Sequence, residues 1–424
     1  MELRAYAVWM GCSSMQHIFV TGKNPDCYHI FIGKRILKNL FLEENMQIYV
    51  VAANDTVYGI AQRYGIRADW LIYANQLAYP YFLVVGQALL LPEGQEEAER
   101  FIYSNGYAYP FISPWVLRQT LPYLSELSIF SYGFTREGNL LAPLLPDDWM
   151  IAMAKEFQAR PILTLTPLDE NGKFSNQLIS VMVNEEAVKN RLLDEILQVM
   201  QQKGYEGLDI DFEYILAGDR EAFTQFVQDA VDQLSVYGYP VSVALAPKTS
   251  ADQPGLLYEG KDYRALGEAA DHVLIMTYEW GYTYGPPMAV APLNKVRQVV
   301  EYAVTEIVPE KISLGIPNYG YDWPLPYERG KTKARTIGNV EAVTIAQRYG
   351  QEIYFDEIAQ SPYFHYTDED GIRHEVWFED VRSLQGKFGL IKEFSLRGAG
   401  YWQVMQLFRA NWLLLSDTFW IEKM

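Results

Sequence analysis

Short apolar runs alternate with longer amphipathic stretches from Phe101 to the end of the chain. The stretches between them, such as EEAVKNRLLDEILQVMQQKG, have the spacing of helices. Eight strands that alternate with helices over residues 100–424 predict an α/β fold, a (β/α)8 barrel. A longer segment before the last strand, about residues 328–380, predicts a small α+β insertion after strand 7. The eight runs are FIYSNGY, LSIFSYGF, PILTLTP, GLDIDFEY, VSVALAP, HVLIMTYEW, KISLGIPNYGYDW and GAGYWQV.

Residues 46–93 have a different pattern and predict a small βααβ module ahead of the barrel. IYVVA has the character of a short apolar strand, and Asp55 and Thr56 follow it where a helix N-cap is expected. The helical stretch VYGIAQRYG ends at Gly65, a residue type typical of helix C-termini. A second helix, RADWLIYANQL, and a second strand, ALLLP, complete the module.

Residues 1–45 fit neither pattern, and we leave them unassigned. They contain five Lys or Arg and four Asp or Glu, whereas the rest of the chain is strongly acidic. Both cysteines, Cys12 and Cys27, lie here, and two cysteines form neither a disulfide framework nor a four-ligand zinc pattern. We expect this segment to be dispensable for folding and activity.

The charge and aromatic content narrow the class of partner. A net charge of -18 argues against nucleic acid or an anionic membrane surface, because both attract basic patches. The 31 tyrosines and 10 tryptophans suit the faces of sugars, which favours a neutral polymer. We find no export signal and no apolar run of membrane-spanning length, so we predict a soluble protein.

The stretch EGLDIDFEY places carboxylates at alternate positions between apolar residues. In a strand, such residues share one face, so Asp209, Asp211 and Glu213 point into the barrel. Glu213 lies nearest the C-terminal rim, where barrel enzymes have their active sites. Crowded like charges raise at least one pKa, as a general acid at neutral pH requires. The alternatives are a structural cluster or a hard-cation site, whose ligands usually come from loops of differing geometry.

This strand resembles the signature of family 18 glycoside hydrolases, Asp-Gly-x-Asp-x-Asp-x-Glu. Glu206 stands where the family has its first Asp, a position that precedes the catalytic acids. IMTYEWGY is similar to the family's Met-x-Tyr-Asp strand, with Glu279 in place of the Asp. LGIPNYGYDW resembles its seventh strand and GAGYWQV its eighth, so the resemblance extends along most of residues 101–419.

The resemblance implies roles for individual residues. Glu213 would protonate the glycosidic oxygen while the substrate's own 2-acetamido carbonyl attacks the anomeric carbon. Asp211 would hold the acetamide N–H, and Asp209 would orient Asp211. The Tyr278 hydroxyl would bind the acetamide oxygen, and Trp402 would form the floor under the sugar at subsite -1. For Tyr278 and Trp402 the alternative is core packing.

Further candidates for substrate contacts are less strongly marked. We expect Glu279 to contact sugar hydroxyls or the +1 side. Tyr319, Asp322, Glu379 and Asp380 are either rim contacts or simply solvated groups. The histidines do not have the spacing of metal ligands, so we expect no metal and no cofactor, and we assign structural roles to His272, His365 and His374.

The βααβ module resembles a LysM module in the order and spacing of its parts. LysM modules bind chains that contain N-acetylglucosamine, between the loop after strand one and the loop before strand two. Here these loops are Asn54–Tyr58, which includes Asp55 and Thr56, and Leu77–Leu83. Asn54 stands where the family usually has Gly, which leaves the affinity open. Asp55 and Thr56 also fit a role as helix caps.

A LysM module ahead of a family 18 barrel resembles the bacterial spore-cortex hydrolases, the cortical-fragment-lytic N-acetylglucosaminidases. The resemblance implies cleavage of peptidoglycan, or of another N-acetylglucosamine polymer, in the spore coat, cortex or wall of a spore-forming bacterium. A chitinase is the alternative enzyme, and a non-catalytic glycan-binding protein is the alternative of another class. We expect a monomer. Endo or exo action stays open.

Overall fold

The computed structural model describes residues 46–92, 98 and 100–424. The predicted dispensable segment, residues 1–45, lies outside the described residues. Within the described part of the chain, none of the helices combines the length and apolar character needed to cross a membrane.

Eight parallel strands close into a barrel, as the alternating pattern predicts. Each of the eight apolar runs contributes one strand to the barrel, and the first barrel strand pairs with both the second and the last, which closes the sheet. The prediction of a (β/α)8 barrel is therefore confirmed. In chain order the strands are Phe101–Ala108, Glu126–Phe134, Arg160–Leu165, Leu208–Ile210, Val241–Leu245, His272–Ile275, Ile312–Pro317 and Gly398–Trp402.

Helices cover the outside of the barrel and bury the apolar residues that point away from its axis. Phe212, for example, is fully buried and stacks on Phe226 of a covering helix, with ring centroids 6.0 Å apart. Such contacts join strands and helices in one large apolar core. The helices are Pro114–Thr120, Asp148–Glu156, Asn176–Asn184, Glu186–Lys203, Arg220–Ser235, Tyr263–Ala269, Leu293–Glu306, Val381–Glu393 and Arg409–Thr418.

The predicted insertion is present, but it begins earlier than Glu328. The run KISLGIPNYGYDW forms two strands. The Asn318 backbone amide donates a hydrogen bond to the Trp402 carbonyl, and the chain then leaves the barrel at Gly320. A Cβ on Gly320 would lie only 2.4 Å from the Trp377 carbonyl oxygen, so this crossing needs glycine. The antiparallel insertion sheet contains Gly320–Leu325, Arg335–Ile337, Tyr354–Asp356, Ser361–Thr367 and Arg373–Trp377, with the helix Asn339–Arg348 on one face.

The βααβ module has the predicted order of elements. Strand Met46–Val50 pairs antiparallel with Ala88–Pro92, and the helices Val57–Tyr64 and Ala68–Ala74 lie between them. The Thr56 side chain accepts a hydrogen bond from the Gly59 amide, and Gly65 ends the first helix in the left-handed conformation.

The second half of this module packs against the insertion. The Ile353 amide donates to the Val85 carbonyl at 2.9 Å, and the Gln347 side-chain amide donates to the Phe82 carbonyl at 3.2 Å. Val84 is buried in the same apolar cluster as residues of the insertion. The module and the insertion therefore share a packed junction.

Candidate active site

The acid line runs from the barrel interior to the C-terminal rim. The fourth strand ends at Ile210, but the Asp211 amide still donates to the Leu165 carbonyl at 2.9 Å, which extends the strand pairing by one residue. Asp209 is fully buried, Asp211 is 6% exposed and Glu213 is half-buried. The acids thus become more accessible in the order that the alternation predicts.

Asp209, the deepest acid, is held by hydroxyl groups of two other strands. Its carboxylate accepts hydrogen bonds from Tyr107 at 2.9 Å and from Ser242 at 2.7 Å. Burial raises the pKa of Asp209 to about 6, because these two bonds offset only part of the loss of hydration. Asp209 therefore holds its proton to a higher pH than an exposed aspartate.

Asp211 has the strongest reason to remain protonated. Burial, followed by the charges of Glu213 and Asp209, raises the pKa of Asp211 well above its ordinary value, and Lys261 opposes this rise. Among the described residues, none provides a hydrogen-bond partner to Asp211 Oδ1. A group that brings a donor to Asp211 would therefore satisfy a buried acceptor.

Tyr278 follows the sixth strand and is 8% exposed. Burial and the charges of Asp211 and Glu213 raise its pKa well above the ordinary value, so the hydroxyl stays neutral and able to donate. Space for its ring comes from Gly315, where a Cβ would lie 2.8 Å from Tyr278 Cε1.

Trp402, at the end of the last strand, belongs to an aromatic group at the barrel mouth. Its ring centroid lies 5.0 Å from that of Phe130, 5.7 Å from Tyr107 and 6.1 Å from Tyr109. Phe130 and Tyr109 are not among the site residues predicted from the sequence. Their positions within or directly after barrel strands are the signal that could have identified them.

Glu279 is fixed by two tyrosines at the start of the insertion. Its Oε1 atom accepts hydrogen bonds from Tyr319 and Tyr321. Burial of the carboxyl raises the pKa of Glu279, against the effect of these bonds. The backbone φ of Glu279 is 67°, which is uncommon outside glycine and is typical of functional sites. Tyr319 thus orients Glu279, whereas we expected Tyr319 to be a rim contact or a solvated group.

Asp322, Glu379 and Asp380 require a correction, because all three are buried in structural contacts. The Asp322 carboxylate accepts a hydrogen bond of 2.8 Å from the Tyr366 hydroxyl, and its Oδ1 atom lies 2.7 Å from His374 Nδ1. Glu379 pairs with buried Lys387 at 2.8 Å. Asp380 caps the helix Val381–Glu393. Neither a rim contact nor a solvated group describes them.

The two candidate residues of the βααβ module differ in role. Thr56 is exposed and caps its helix, whereas the Asp55 carboxylate binds the Tyr49 hydroxyl at 2.5 Å, the Ala52 amide and Arg63. Asp55 therefore shapes the loop Asn54–Tyr58 instead of capping the helix. Tyr58 in this loop and Phe82 in the second loop keep large exposed aromatic surfaces.

His272 and His365 each lie beside a carboxylate. His272 Nε2 is 3.5 Å from Glu126 inside the barrel, and His365 Nε2 is 3.3 Å from Glu375 in the insertion. No group of three or more histidine, cysteine or acidic side chains that could hold a metal ion occurs in the part of the chain that the structure describes.

Comparisons with known proteins agree with this architecture. Residues 171–406 match the family described as Glycosyl hydrolases family 18, and residues 49–92 match the LysM domain. The chain is 43% identical over 430 residues to the cortical fragment-lytic enzyme of Bacillus subtilis (strain 168), a match that covers 89% of this chain and 99% of that protein. It is 32% identical to the putative sporulation-specific glycosylase YdhD of the same organism, with 89% of each chain covered.

A solved structure is similar over the same extent. The crystal structure of the Bacillus cereus spore cortex-lytic enzyme SleL matches with a TM-score of 0.85 and 34% identity, covering 89% of this chain and 99% of that chain. The similarity therefore includes the module, the barrel and the insertion together.

Proposed function

The chain belongs to the family 18 glycosyl hydrolases, and we propose that it cleaves β-1,4 bonds of N-acetylglucosamine in spore-cortex peptidoglycan with retention of configuration. The observation that carries this proposal is the acid line itself, in which accessible Glu213 lies next to a buried, protonation-prone Asp211 beside a neutral Tyr278 hydroxyl. This arrangement suits a proton donor and a binding site for an acetamido group.

In the first step, Glu213 gives its proton to the glycosidic oxygen as the bond to the anomeric carbon breaks. The carbonyl oxygen of the substrate's 2-acetamido group attacks the same carbon and forms an oxazolinium ion. In the second step, water attacks the anomeric carbon, Glu213 takes a proton from that water, and the acetamide is restored. Two displacements at one carbon retain its configuration.

The neighbouring side chains prepare the acetamide for attack. Asp211 accepts the acetamide N–H once the proton that it shares lies on a neighbouring carboxyl of the acid line, and as a carboxylate it stabilises the positive charge of the oxazolinium ion. Asp209 positions Asp211, and the Tyr278 hydroxyl donates to the acetamide oxygen. Trp402 provides an aromatic face under the sugar at subsite -1, while Glu279 contacts sugar hydroxyls or the +1 side.

The mechanism also selects the bond that is cut. Muramic-δ-lactam, a sugar of spore cortex, has no free acetamide, so a substrate-assisted cut must place N-acetylglucosamine at subsite -1. The activity is therefore that of an N-acetylglucosaminidase. The related cortical fragment-lytic and cortex-lytic enzymes support cortex as the substrate and the spore cortex as the place of action.

The LysM module holds the polymer near the barrel. Its loops Asn54–Tyr58 and Leu77–Leu83 present Tyr58, Tyr79 and Phe82 with more than half of their surface exposed, which suits sugar faces. The chain acts as a monomer on this polymer, without a nucleic acid or membrane partner.

The experiment compares spore cortex, vegetative peptidoglycan and chitin, digested in parallel and analysed by mass spectrometry. Cortex should yield fragments that end in reducing N-acetylglucosamine, and Glu213→Gln should form them about 100- to 10,000-fold more slowly under the same conditions. Products from chitin alone would replace the proposal with a chitinase, and retention of cortex without any product would indicate a glycan-binding protein.

A further inference from the structure

A basic loop lies at the start of the insertion, in a chain that is otherwise strongly acidic. The loop is residues 327–335, YERGKTKAR, which contain four basic residues and one acidic residue. No nine-residue stretch elsewhere in the chain contains more than three basic residues. The loop connects the insertion strands Gly320–Leu325 and Arg335–Ile337. Cations this close repel one another, so their clustering needs a compensating reason.

The basic loop is tied at both ends to the segment that follows Glu279. The Tyr327 hydroxyl donates to the Tyr284 carbonyl at 2.9 Å, and the Ala334 amide donates to the Thr283 carbonyl at 2.7 Å. The strand that enters the loop also supplies one of the two tyrosines that hold Glu279. The basic loop therefore lies at the rim of the active site, on the side of Glu279.

Hydrogen bonds within the basic loop hold it in an ordered turn. The Lys331 and Thr332 amides donate to the Glu328 carbonyl at 3.1 and 2.9 Å, and the Glu328 amide donates to the Thr332 hydroxyl at 2.8 Å. Gly330 has a φ of 78° in this turn, a conformation that favours glycine. The basic side chains thus project from a backbone that is already in place, which lowers the entropy cost of binding a ligand.

Two of the four cations in the basic loop are available to a ligand. Lys331 and Arg335 each form an ion pair of 2.6 Å with a glutamate of the insertion. Arg329 and Lys333 are exposed, and none of the carboxylates in the described part of the chain lies within ion-pair distance of either. An anionic group at the rim could therefore pair with both without displacing a carboxylate of the protein.

We propose that the basic loop binds a carboxylate on a sugar next to the cleaved N-acetylglucosamine, through Arg329 and Lys333. Peptidoglycan carries such a group, because its muramic acid has a lactyl carboxylate or, in its place, a peptide with carboxylates of its own. Chitin has no anionic group. The basic loop therefore favours peptidoglycan over chitin, although the net charge of -18 opposes the approach of an anionic polymer. This inference rests on the proposed function.

The test is the double variant Arg329→Gln with Lys333→Gln on three soluble tetrasaccharides. The first is a peptidoglycan fragment with its peptides, the second is the same fragment after an amidase has freed the lactyl carboxylates, and the third is the neutral N-acetylglucosamine tetramer. On the peptidoglycan fragments kcat/KM should fall about 3- to 10-fold, mainly through a higher KM, because each exposed ion pair contributes modestly. A loss on only one fragment identifies the lactyl group or the peptide as the source of the carboxylate.

Two further results are expected if charge is the cause. The double variant should cleave the neutral tetramer as fast as the wild type does. In about 1 M salt, where charges are screened beyond about 3 Å, the difference between the two proteins on the peptidoglycan fragments should shrink.

Arg191→Gln with Lys295→Gln is the matched control, because both residues are exposed on barrel helices and also lack an ion pair within the described ranges. It should match the wild type on all three substrates. An equal loss in the two double variants, an equal loss on the neutral tetramer, or no loss on any substrate would overturn this inference alone. If the wild type cleaves the neutral tetramer but neither peptidoglycan fragment, the proposed function itself fails.

Discussion

Tyr107 donates a hydrogen bond of 2.9 Å to Asp209, and this bond joins the first and fourth barrel strands across the interior. Hydrogen bonds to a carboxylate favour its charged form, whereas burial disfavours it. Burial prevails at Asp209, whose pKa rises to about 6 even with a second bond from Ser242. Ionised Asp209 therefore makes the folded state less stable.

The first prediction is that Asp209→Asn stabilises the protein at neutral pH. The folded pKa of about 6 exceeds the ordinary 3.8, so the folded state binds more protons between these values and stability falls as pH rises through them. Above that window the ionisation of Asp209 lowers the free energy of unfolding by roughly 3 kcal/mol. Asparagine cannot ionise, so the variant should lack this fall. Urea unfolding at several pH values between 4 and 7 measures the free energy of unfolding of both proteins. The same change with pH in the two proteins would contradict the raised pKa of Asp209.

The barrel could be predicted because buried parallel strands appear in a sequence as short apolar runs. The start of the insertion could not be predicted in the same way. Ile312–Pro317 and the first four residues of Gly320–Leu325 are buried alike, so LGIPNYGYDW shows no change of pattern where the chain leaves the barrel. The boundary depends on Asn318, whose side chain binds the carbonyls of Gln403 and Gln406 far along the chain.

The acid line could be predicted because its residues are close in sequence and alternate with period two. Contacts between distant residues could not. Tyr107 and Asp209 are 102 residues apart, and Asp322 lies within hydrogen-bond distance of His374, 52 residues away.

The second prediction concerns the proton donor. Glu213→Gln keeps the size of the side chain but cannot donate a proton, and the loss of general acid catalysis typically lowers kcat by about 100- to 10,000-fold. Binding of the glycan should survive, since the amide still forms hydrogen bonds. Turnover of a soluble N-acetylglucosamine oligomer gives the rate, and circular dichroism confirms the fold.

Asp211→Asn extends this test along the line. A neutral amide cannot stabilise the oxazolinium charge, so the turnover rate of Asp211→Asn should also fall severely. Asp209→Asn should lower the rate less, because Asp209 acts through Asp211. A folded Glu213→Gln protein with a near-normal rate would mean that the assigned roles are wrong.

The third prediction concerns the hydroxyl of Tyr278. Tyr278→Phe keeps the buried ring but removes the donor to the acetamide oxygen, so kcat should fall by roughly 100-fold, as when one oxyanion-binding donor is lost. Tyr237→Phe, which changes a half-exposed tyrosine, is the control and should keep its full rate. Equal rates for the two variants would indicate that Tyr278 serves only in packing.

The fourth prediction concerns the junction between the LysM module and the insertion. Gly86 has a φ of 83°, and a Cβ there would lie 1.8 Å from the carbonyl oxygen of Ile353. Gly65 in the same module has a φ of 67° and no atom within 4 Å of its Cβ position. Gly65→Ala therefore has only the backbone strain of a positive φ, whereas Gly86→Ala has this strain and a clash with the insertion.

Gly65→Ala should lower the free energy of unfolding by about 1 kcal/mol, the usual cost of a residue with a side chain in the left-handed region. Gly86→Ala should cost more, and limited proteolysis should cut its junction between module and insertion faster than in the wild type. Because the barrel strands lie away from this junction, turnover of a soluble oligomer should persist in both variants at a temperature where both are folded. Equal stability of the two variants would show that the contact between Gly86 and Ile353 contributes nothing to holding the module in place.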